Sequence, residues 1–299
     1  MQSLINRLQL PSPEQSITWP WNNPNKVDVW MKRDDCIHPI ISGNKWRKLK
    51  YALSDIEQRN IHTVISFGGG YSNHIHALAY CCHQLNLACK LIIRGDYSQH
   101  LTPTLEDCIA WGAELHFVDR KTYRLRDDAN YLNTLIQQTP NAMIIPEGGS
   151  QAQAIQGTQE IIRELQQQYD YVLAPVGSGG TLAGLIAGSH ALNTRIHGIA
   201  VLKGKDYLET LVTALYPQAS HDNSWTIHHD FHHGGYAKSS SQLLDDINIF
   251  KQHTGIATDP VYSGKLISAA KHLIGQGTFP IRSRLLLLHT GGLQGARSE

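Results

Sequence analysis

Two glycine-rich turns and one lysine-rich helix start carry residue types suited to an anionic ligand. In Ala174-Pro-Val-Gly-Ser-Gly-Gly-Thr-Leu-Ala-Gly184 a predicted strand runs into a predicted helix. Glycines there let the backbone approach a ligand closely, successive N–H groups form an anion nest, and the helix N-terminus adds partial positive charge. Gly177, Ser178, Gly179, Gly180 and Thr181 are thus a candidate phosphate cradle. It is not a Walker A loop, since no Gly-Lys-Ser/Thr ending follows, and Leu182 breaks the G-x-G-x-x-G pattern. A tight turn with packing glycines is the other reading of the same residues. Ser66-Phe-Gly-Gly-Gly-Tyr-Ser-Asn-His74 is a second such turn. There Ser72 stands as an N-cap, serving either as a cap alone or as a carboxylate ligand at the helix start. Upstream, Ser42-Gly-Asn-Lys-Trp-Arg-Lys-Leu49 gathers Lys45, Arg47 and Lys48 at a helix start, where cations oppose the macrodipole unless they meet an anion.

The carboxyl-terminal half adds Asp259-Pro-Val-Tyr-Ser-Gly-Lys265, with Tyr262 just before a helix and Ser263 as its expected cap, and Leu288-His-Thr-Gly-Gly292 at a strand end. Strand ends of this kind line the ligand crevice of a parallel sheet. The His229-to-Tyr236 segment is histidine-rich but has no ordered ligand frame, so no metal is assigned and a solvated loop is expected.

The elements that must position these groups follow from periodicity. Val27 to Lys32 alternates like a strand with one buried face, and a helix is predicted from Lys45 to about Gln58. Strands are predicted at 62–67, 88–94, 114–118 and 142–146, separated by helical segments. A second set follows at 171–175, 195–202 and 284–289. The four consecutive leucines of the last suit a strand buried on both faces. Further helices are predicted near 154–168, 180–192, 240–252 and 263–276, while 216–233 carries the weakest signal. The alternation is that of a parallel α/β sheet.

Composition bounds the partners. With 299 residues the chain can form two lobes around large cores. A formal charge of +1 draws it to neither nucleic acid nor an anionic membrane, leaving a small molecule as the expected partner. The cysteines Cys36, Cys81, Cys82, Cys89 and Cys108 show no C-x-x-C pair and read as free thiols of a reducing compartment. The segment Met1 to Leu10 lacks the form of a signal peptide, and no apolar run reaches membrane-span length, so a cytoplasmic location is expected.

Together these segments resemble the pyridoxal-phosphate (PLP)-dependent family of 1-aminocyclopropane-1-carboxylate (ACC) deaminase and D-cysteine desulfhydrase, within the tryptophan synthase β-like fold. The resemblance runs from about Lys32 to Gly292 and rests on Arg33-Asp-Asp35 with Gly43-Asn-Lys45 and Arg47-Lys-Leu49, Ser72-Asn-His74, Gly177-Ser-Gly-Gly-Thr181 and Asp259-Pro-Val-Tyr-Ser-Gly-Lys265. It implies an α/β fold of two domains, each an open, mostly parallel sheet with flanking helices. The larger would comprise residues 1–50 and 147–299, the smaller 51–146 inserted between them, usually in a homodimer. It implies pyridoxal 5'-phosphate as cofactor, with Lys45 as the Schiff-base lysine and Asn73 beside the phenolic oxygen. Ser72 would hold the substrate carboxylate, Gly177 to Thr181 the phosphate, and Tyr236 and Tyr262 would face the substrate. Thr290, with Ser263, would lie near the pyridine nitrogen. Two departures bear on substrate shape: Tyr71 stands where the family often has Gln, and histidines precede Tyr236.

The reaction the resemblance favours is β-elimination of D-cysteine to pyruvate, sulfide and ammonia. Lys45 or Tyr262 would remove the α-proton, with burial and the cations Lys48 and Arg47 keeping the amine neutral for part of the cycle. ACC deaminases typically carry Glu and Leu where this chain has Ser263 and Thr290, and hydroxyls imply a weaker electron sink than ring opening needs. ACC deamination, another PLP-dependent elimination and a catalytically silent phosphate binder are the alternatives. A nucleotide-dependent oxidoreductase ranks below them, because no complete fingerprint places an acidic ribose ligand.

Overall fold

The computed structural model describes residues 1–190, 192–204 and 206–296. The chain opens with α1 (Gln2–Ile5), β1 (Glu14–Ser16), β2 (Asp28–Lys32) and α2 (Asn44–Gln58). It continues through β3 (Thr63–Gly69), α3 (Asn73–Gln84), β4 (Ala88–Arg94), α4 (Pro103–Ala110), β5 (Ala113–Val118), α5 (Arg120–Tyr123), α6 (Ala129–Gln138) and β6 (Ala142–Ile145). Then follow α7 (Ala152–Arg163), β7 (Tyr171–Val176), α8 (Gly180–Ser189), β8 (Arg195–Ala200), α9 (Tyr207–Leu215), β9 (Trp225–His228), α10 (Ser241–Thr254), α11 (Ser263–Gly275) and β10 (Arg284–Leu288).

Two sheets organise these elements, giving the two-sheet α/β architecture expected from the sequence. One has four parallel strands in the order β5-β4-β3-β6, the other six in the order β1-β2-β10-β7-β8-β9, parallel except for the β1–β2 pair. Leu285 to Leu288 of β10 lie between β2 and β7 with no exposed surface, as a doubly covered strand requires. Each sheet is packed on both faces, the small one between the α2, α3 and α4 cluster and a smaller cluster around Phe67, Ile92 and Tyr123. Helix α2 crosses the position near 50 where a domain boundary is expected. Its Leu49, Leu53 and Ile56 enter the small-sheet core, while Arg47 reaches Glu164 just past α7.

Three elements differ from expectation. Besides the short α1, for which no helix is predicted, strand β9 forms in the weak 216–233 stretch, β1 forms from Glu14, Gln15 and Ser16, and α9 forms where no helix is predicted. Both strands are sheet edges with little apolar patterning. The helix expected over 180–192 ends at Ser189, and position 191 lies outside the described residues.

In both sheets the strand order reverses beside the glycine-rich turns. The chain moves from β3 to β4 on one side and to β6 on the other, and from β7 to β8 on one side with β10 on the other. Ligands of open α/β sheets bind at the carboxyl ends of strands at such switch points. Ser72 follows β3, Gly177 follows β7 and Thr290 follows β10. No helix among the described residues is long and apolar enough to cross a membrane.

Candidate active site

The start of α2 is fastened to the end of β10 by a glycine. Gly43 has φ 68°, and a Cβ there would lie 1.8 Å from the Thr290 carbonyl oxygen, so only glycine permits this approach. The Asn44 N–H donates to the same carbonyl at 3.3 Å. Lys45 is thereby delivered between the two sheets. Its Nζ hydrogen-bonds the Asn44 carboxamide oxygen, and the Asn44 Nδ2 donates to Thr181 Oγ1 at 2.7 Å, linking the lysine to the turn after β7. Nζ also lies 5.9 Å from the centre of the Tyr262 ring. Burial pushes the Lys45 amine down to about 8, the Asp259 carboxylate opposing.

Tyr262 caps the start of α11, with one ring carbon 3.3 Å from where a Gly177 Cβ would stand. Tyr236 meets it edge-on, ring centres 6.2 Å apart. Burial and then the Tyr236 hydroxyl push the Tyr262 phenol well above its usual range, so it keeps its proton. Asp259 organises the turn before α11. Its carboxylate accepts from the N–H groups of Val261, Tyr262 and Ser263 at 2.8 to 2.9 Å and from the Ser263 hydroxyl. Ser263 is therefore the first helical residue and not the cap, and its hydroxyl is already committed. Thr290, just past the end of β10, is a buried residue with a neutral hydroxyl.

On the small sheet, Ser72 is the N-cap of α3, yet its side chain makes no capping hydrogen bond. The Asn73 Oδ1 is buried with no partner among the described residues, and a Cβ on Gly292 would lie 2.6 Å from its Nδ2. His74 donates from Nε2 to Ser66 Oγ (2.8 Å), since that hydroxyl is itself spent on the Ile145 carbonyl (2.7 Å). Burial and the charges of Lys48 and Lys45 hold His74 neutral.

Lys48 reaches the turn after β7. Its Nζ donates to Ser150 Oγ at 2.7 Å and Ser178 Oγ at 3.1 Å, and these hydroxyls are 2.6 Å apart. The side chain is almost wholly buried, and burial together with Lys45 lowers its pKa well below normal. Gly179 adopts φ 79° at the N-cap of α8. Arg47 turns away from this group: it pairs with Asp34 at 3.0 Å and with Glu164 at 2.7 Å, and contributes nothing resolved to the Lys45 amine. The histidines of 228–233 bond elsewhere, His228 to His197, His229 to Glu209 and His233 to Ser240. Among the described residues no group of three or more His, Cys, Asp or Glu could hold a metal ion.

A family model described as "Pyridoxal-phosphate dependent enzyme" matches residues 18–291. The chain belongs to this PLP-dependent enzyme family. Its similarity extends over 96% of the chain, at 32% identity, to a protein of Arabidopsis thaliana named bifunctional D-cysteine desulfhydrase/1-aminocyclopropane-1-carboxylate deaminase, mitochondrial, of which it covers 77%. A Klebsiella pneumoniae (strain 342) D-cysteine desulfhydrase is 26% identical, with 89% of this chain and 87% of that protein covered. A solved structure described as an ACC deaminase homologue superposes with a TM-score of 0.83 at 28% identity, covering 97% of this chain and 92% of the other.

The residues present fit PLP. A buried lysine amine is held for an aldehyde, and the turn after β7 combines a left-handed glycine, a helix N-terminus and the Lys48 ammonium, whose protein partners are only neutral hydroxyls. Burial and Lys45 disfavour the charged form of Lys48, and a phosphate beside it would restore that charge. The orphaned Asn73 amide offers a polar contact to the ring. Sequence reasoning had not assigned Asn44, Asp259 or Ser150 to the site. Ser150 ends a third glycine turn, Glu147-Gly-Gly-Ser150 after β6, which was a legible signal.

Proposed function

We propose that the protein is a PLP-dependent lyase of the D-cysteine desulfhydrase type, converting D-cysteine and water to pyruvate, hydrogen sulfide and ammonia. The observation that carries this reading is the set of neutral hydroxyls in the pocket. Thr290 is buried and carries a neutral hydroxyl, the Ser263 hydroxyl is bound to Asp259, and the Asp259 carboxylate accepts from its own turn. No carboxylate is thus free at the positions where ACC ring opening would call for one. The name of the Arabidopsis relative supports the class, since it carries both activities.

PLP supplies the electron sink that stabilises negative charge on the substrate α-carbon. In the proposed reading Lys45 would carry the cofactor, Gly177 to Thr181 and Lys48 would hold its phosphate, Asn73 would meet its ring oxygen, and Thr290 would offer a neutral contact near its ring nitrogen. Ser72 and the α3 N-terminus hold the substrate carboxylate. The neutral Lys45 amine takes the α-proton, and Tyr262, kept protonated by burial, gives its proton to the sulfur leaving from Cβ. Tyr236 closes the exposed side of the pocket.

Residues 51–146 are proposed as the smaller domain, inserted in a larger one of 1–50 and 147–299. A homodimer in the cytoplasm is also proposed. Five free cysteines support a reducing compartment, and sedimentation equilibrium tests the dimer. The decisive experiment is a steady-state assay with D-cysteine, L-cysteine, D-serine and ACC, following sulfide, pyruvate and 2-oxobutyrate. Sulfide and pyruvate from D-cysteine in excess over 2-oxobutyrate from ACC is the expected result. The reverse order assigns ACC deamination, and silence on all four substrates removes both.

A further inference from the structure

We infer that Lys265 is a positioning residue whose buried ammonium fastens the glycine turn carrying Tyr236 to the large sheet, holding that tyrosine over the site. The inference rests on Tyr236 facing the substrate, as proposed above. Lys265 exposes no surface, and its Nζ donates to the Gly235 carbonyl at 2.7 Å and the Val201 carbonyl at 3.1 Å. Val201 follows the carboxyl end of β8, and Gly235 immediately precedes Tyr236. One side chain therefore bridges the switch-point edge of the sheet and the tyrosine turn.

The turn has little else to hold it. Gly234 and Gly235 take φ 98° and 120°, and the Gly235 N–H bonds His232 O at 3.0 Å while the Lys238 N–H bonds Gly235 O at 3.1 Å. These bonds close the turn on itself, and His233 adds one to Ser240 at 2.9 Å. Tyr236 remains largely exposed, and among the described residues its ring contact and hydroxyl interaction are both with Tyr262. An exposed tyrosine on a glycine turn would otherwise sample many orientations.

A buried ammonium is an expensive way to bond two neutral carbonyls. Burial drives the Lys265 pKa down to about 8, the Asp259 carboxylate opposing. That carboxylate is hydrogen-bonded to its own turn, and among the described residues none forms an ion pair with Lys265, so its desolvation is offset only in part. An apolar side chain would fill the space at lower cost, which points to the carbonyl bonds themselves as the reason for the lysine. Lys265 stands one helical turn after Tyr262 on α11. A single helix thereby sets both tyrosines, Tyr262 directly and Tyr236 through Lys265.

The test uses the PLP-loaded full-length protein and the variants Lys265→Met, Lys265→Arg, Tyr236→Ala and Lys265→Met with Tyr236→Ala. Amide hydrogen exchange across 233–238 is expected to quicken in Lys265→Met while 177–181 stays protected, and Lys265→Arg restores most of the protection. For D-cysteine, kcat/KM is expected to fall about 10- to 100-fold, the range of charged hydrogen bonds lost together, and to fall no further when Tyr236→Ala is already present. Unchanged exchange at 233–238 overturns the inference, as does a loss that multiplies onto Tyr236→Ala. Should Lys265→Met fail to fold, Lys265→Gln carries the same comparison. The exchange measurement needs no turnover, so it decides the matter even if D-cysteine proves not to be the substrate.

Discussion

Burial sets Lys45 and Tyr262 to opposite uses of the proton. Removing an ammonium from water favours the neutral amine, and removing a phenolate favours the phenol, so as pH rises through about 8 the Lys45 amine becomes able to accept a proton while Tyr262 still keeps one to give. Borohydride reduction of the PLP-loaded protein followed by peptide mapping is expected to place the pyridoxyl group on Lys45. A label on Lys48 would reverse the roles of the two lysines. Stability supplies a second check. The folded-state pKa of Lys45 lies below its unfolded value near 10.5, so the cofactor-free fold binds fewer protons than the unfolded chain between about pH 8 and 10.5. Its burial cost is greatest below pH 8 and disappears as pH rises through this window. Cofactor-free Lys45→Met should therefore be more stable than the parent at pH 7.5, with the advantage shrinking by at most about 3 kcal/mol by pH 10.5, less what water in the cleft screens. Urea titrations of both proteins at several pH values measure this difference, and an advantage independent of pH would refute a depressed Lys45. Of these residues, Lys45 was legible from its motif. Asn44, which links it to Thr181, was not, because an asparagine after glycine reads as a turn residue until the start of α8 is seen beside it.

At the scale of elements, the turn after β7 is shaped from two sides. Gly179 takes φ 79°, and a Cβ there would stand 3.4 Å from Leu211 Cβ and from Val212 Cγ2 of α9. The left-handed conformation is what excludes a β-branched side chain, and the contact with α9 leaves the turn little room to adjust. Gly179→Val should weaken PLP binding by roughly 10- to 100-fold, as a backbone strain of about 1 to 3 kcal/mol implies. Titration by PLP absorbance checks this, and unchanged affinity would reduce the turn to packing. The strand and helix starts around this turn were readable because apolar runs end abruptly in glycine. Strand β4 was expected and found at Ala88–Arg94. Helix α9, which backs the turn, was missed although its Leu208, Leu211, Val212 and Leu215 follow helical spacing. Edge strands β1 and β9 were missed for a different reason: pairing on a single side demands little apolar pattern.

Across the whole molecule, the small-sheet and large-sheet cores meet at a buried ion cluster. Arg47 leaves α2, whose apolar face packs on the small sheet, and forks onto Glu164 just past α7, while Asp34 takes its other edge. Lys32 of β2 lies 3.5 Å from the same glutamate, and Ser12 donates to Asp34 at 2.6 Å. From the sequence Arg47 was expected to help lower the Lys45 pKa. Its charge is instead balanced by two carboxylates, so its field at Lys45 is largely cancelled, and burial does the lowering. This pairing could not be read from the chain, because Asp34 and Glu164 are distant in sequence and reach Arg47 only once α2 crosses α7. The two assignments predict different variants. Arg47→Met leaves the buried Asp34 carboxylate without its cation and Glu164 with Lys32 alone, which should cost about 3 to 5 kcal/mol of stability. PLP affinity of the folded fraction, and the pH dependence of D-cysteine turnover if that is the substrate, should stay close to the parent's. Urea unfolding with PLP titration separates the two outcomes. A protein of parental stability whose turnover profile moves to higher pH would return Arg47 to the active site, whereas early unfolding with an unmoved profile assigns it to joining the two cores.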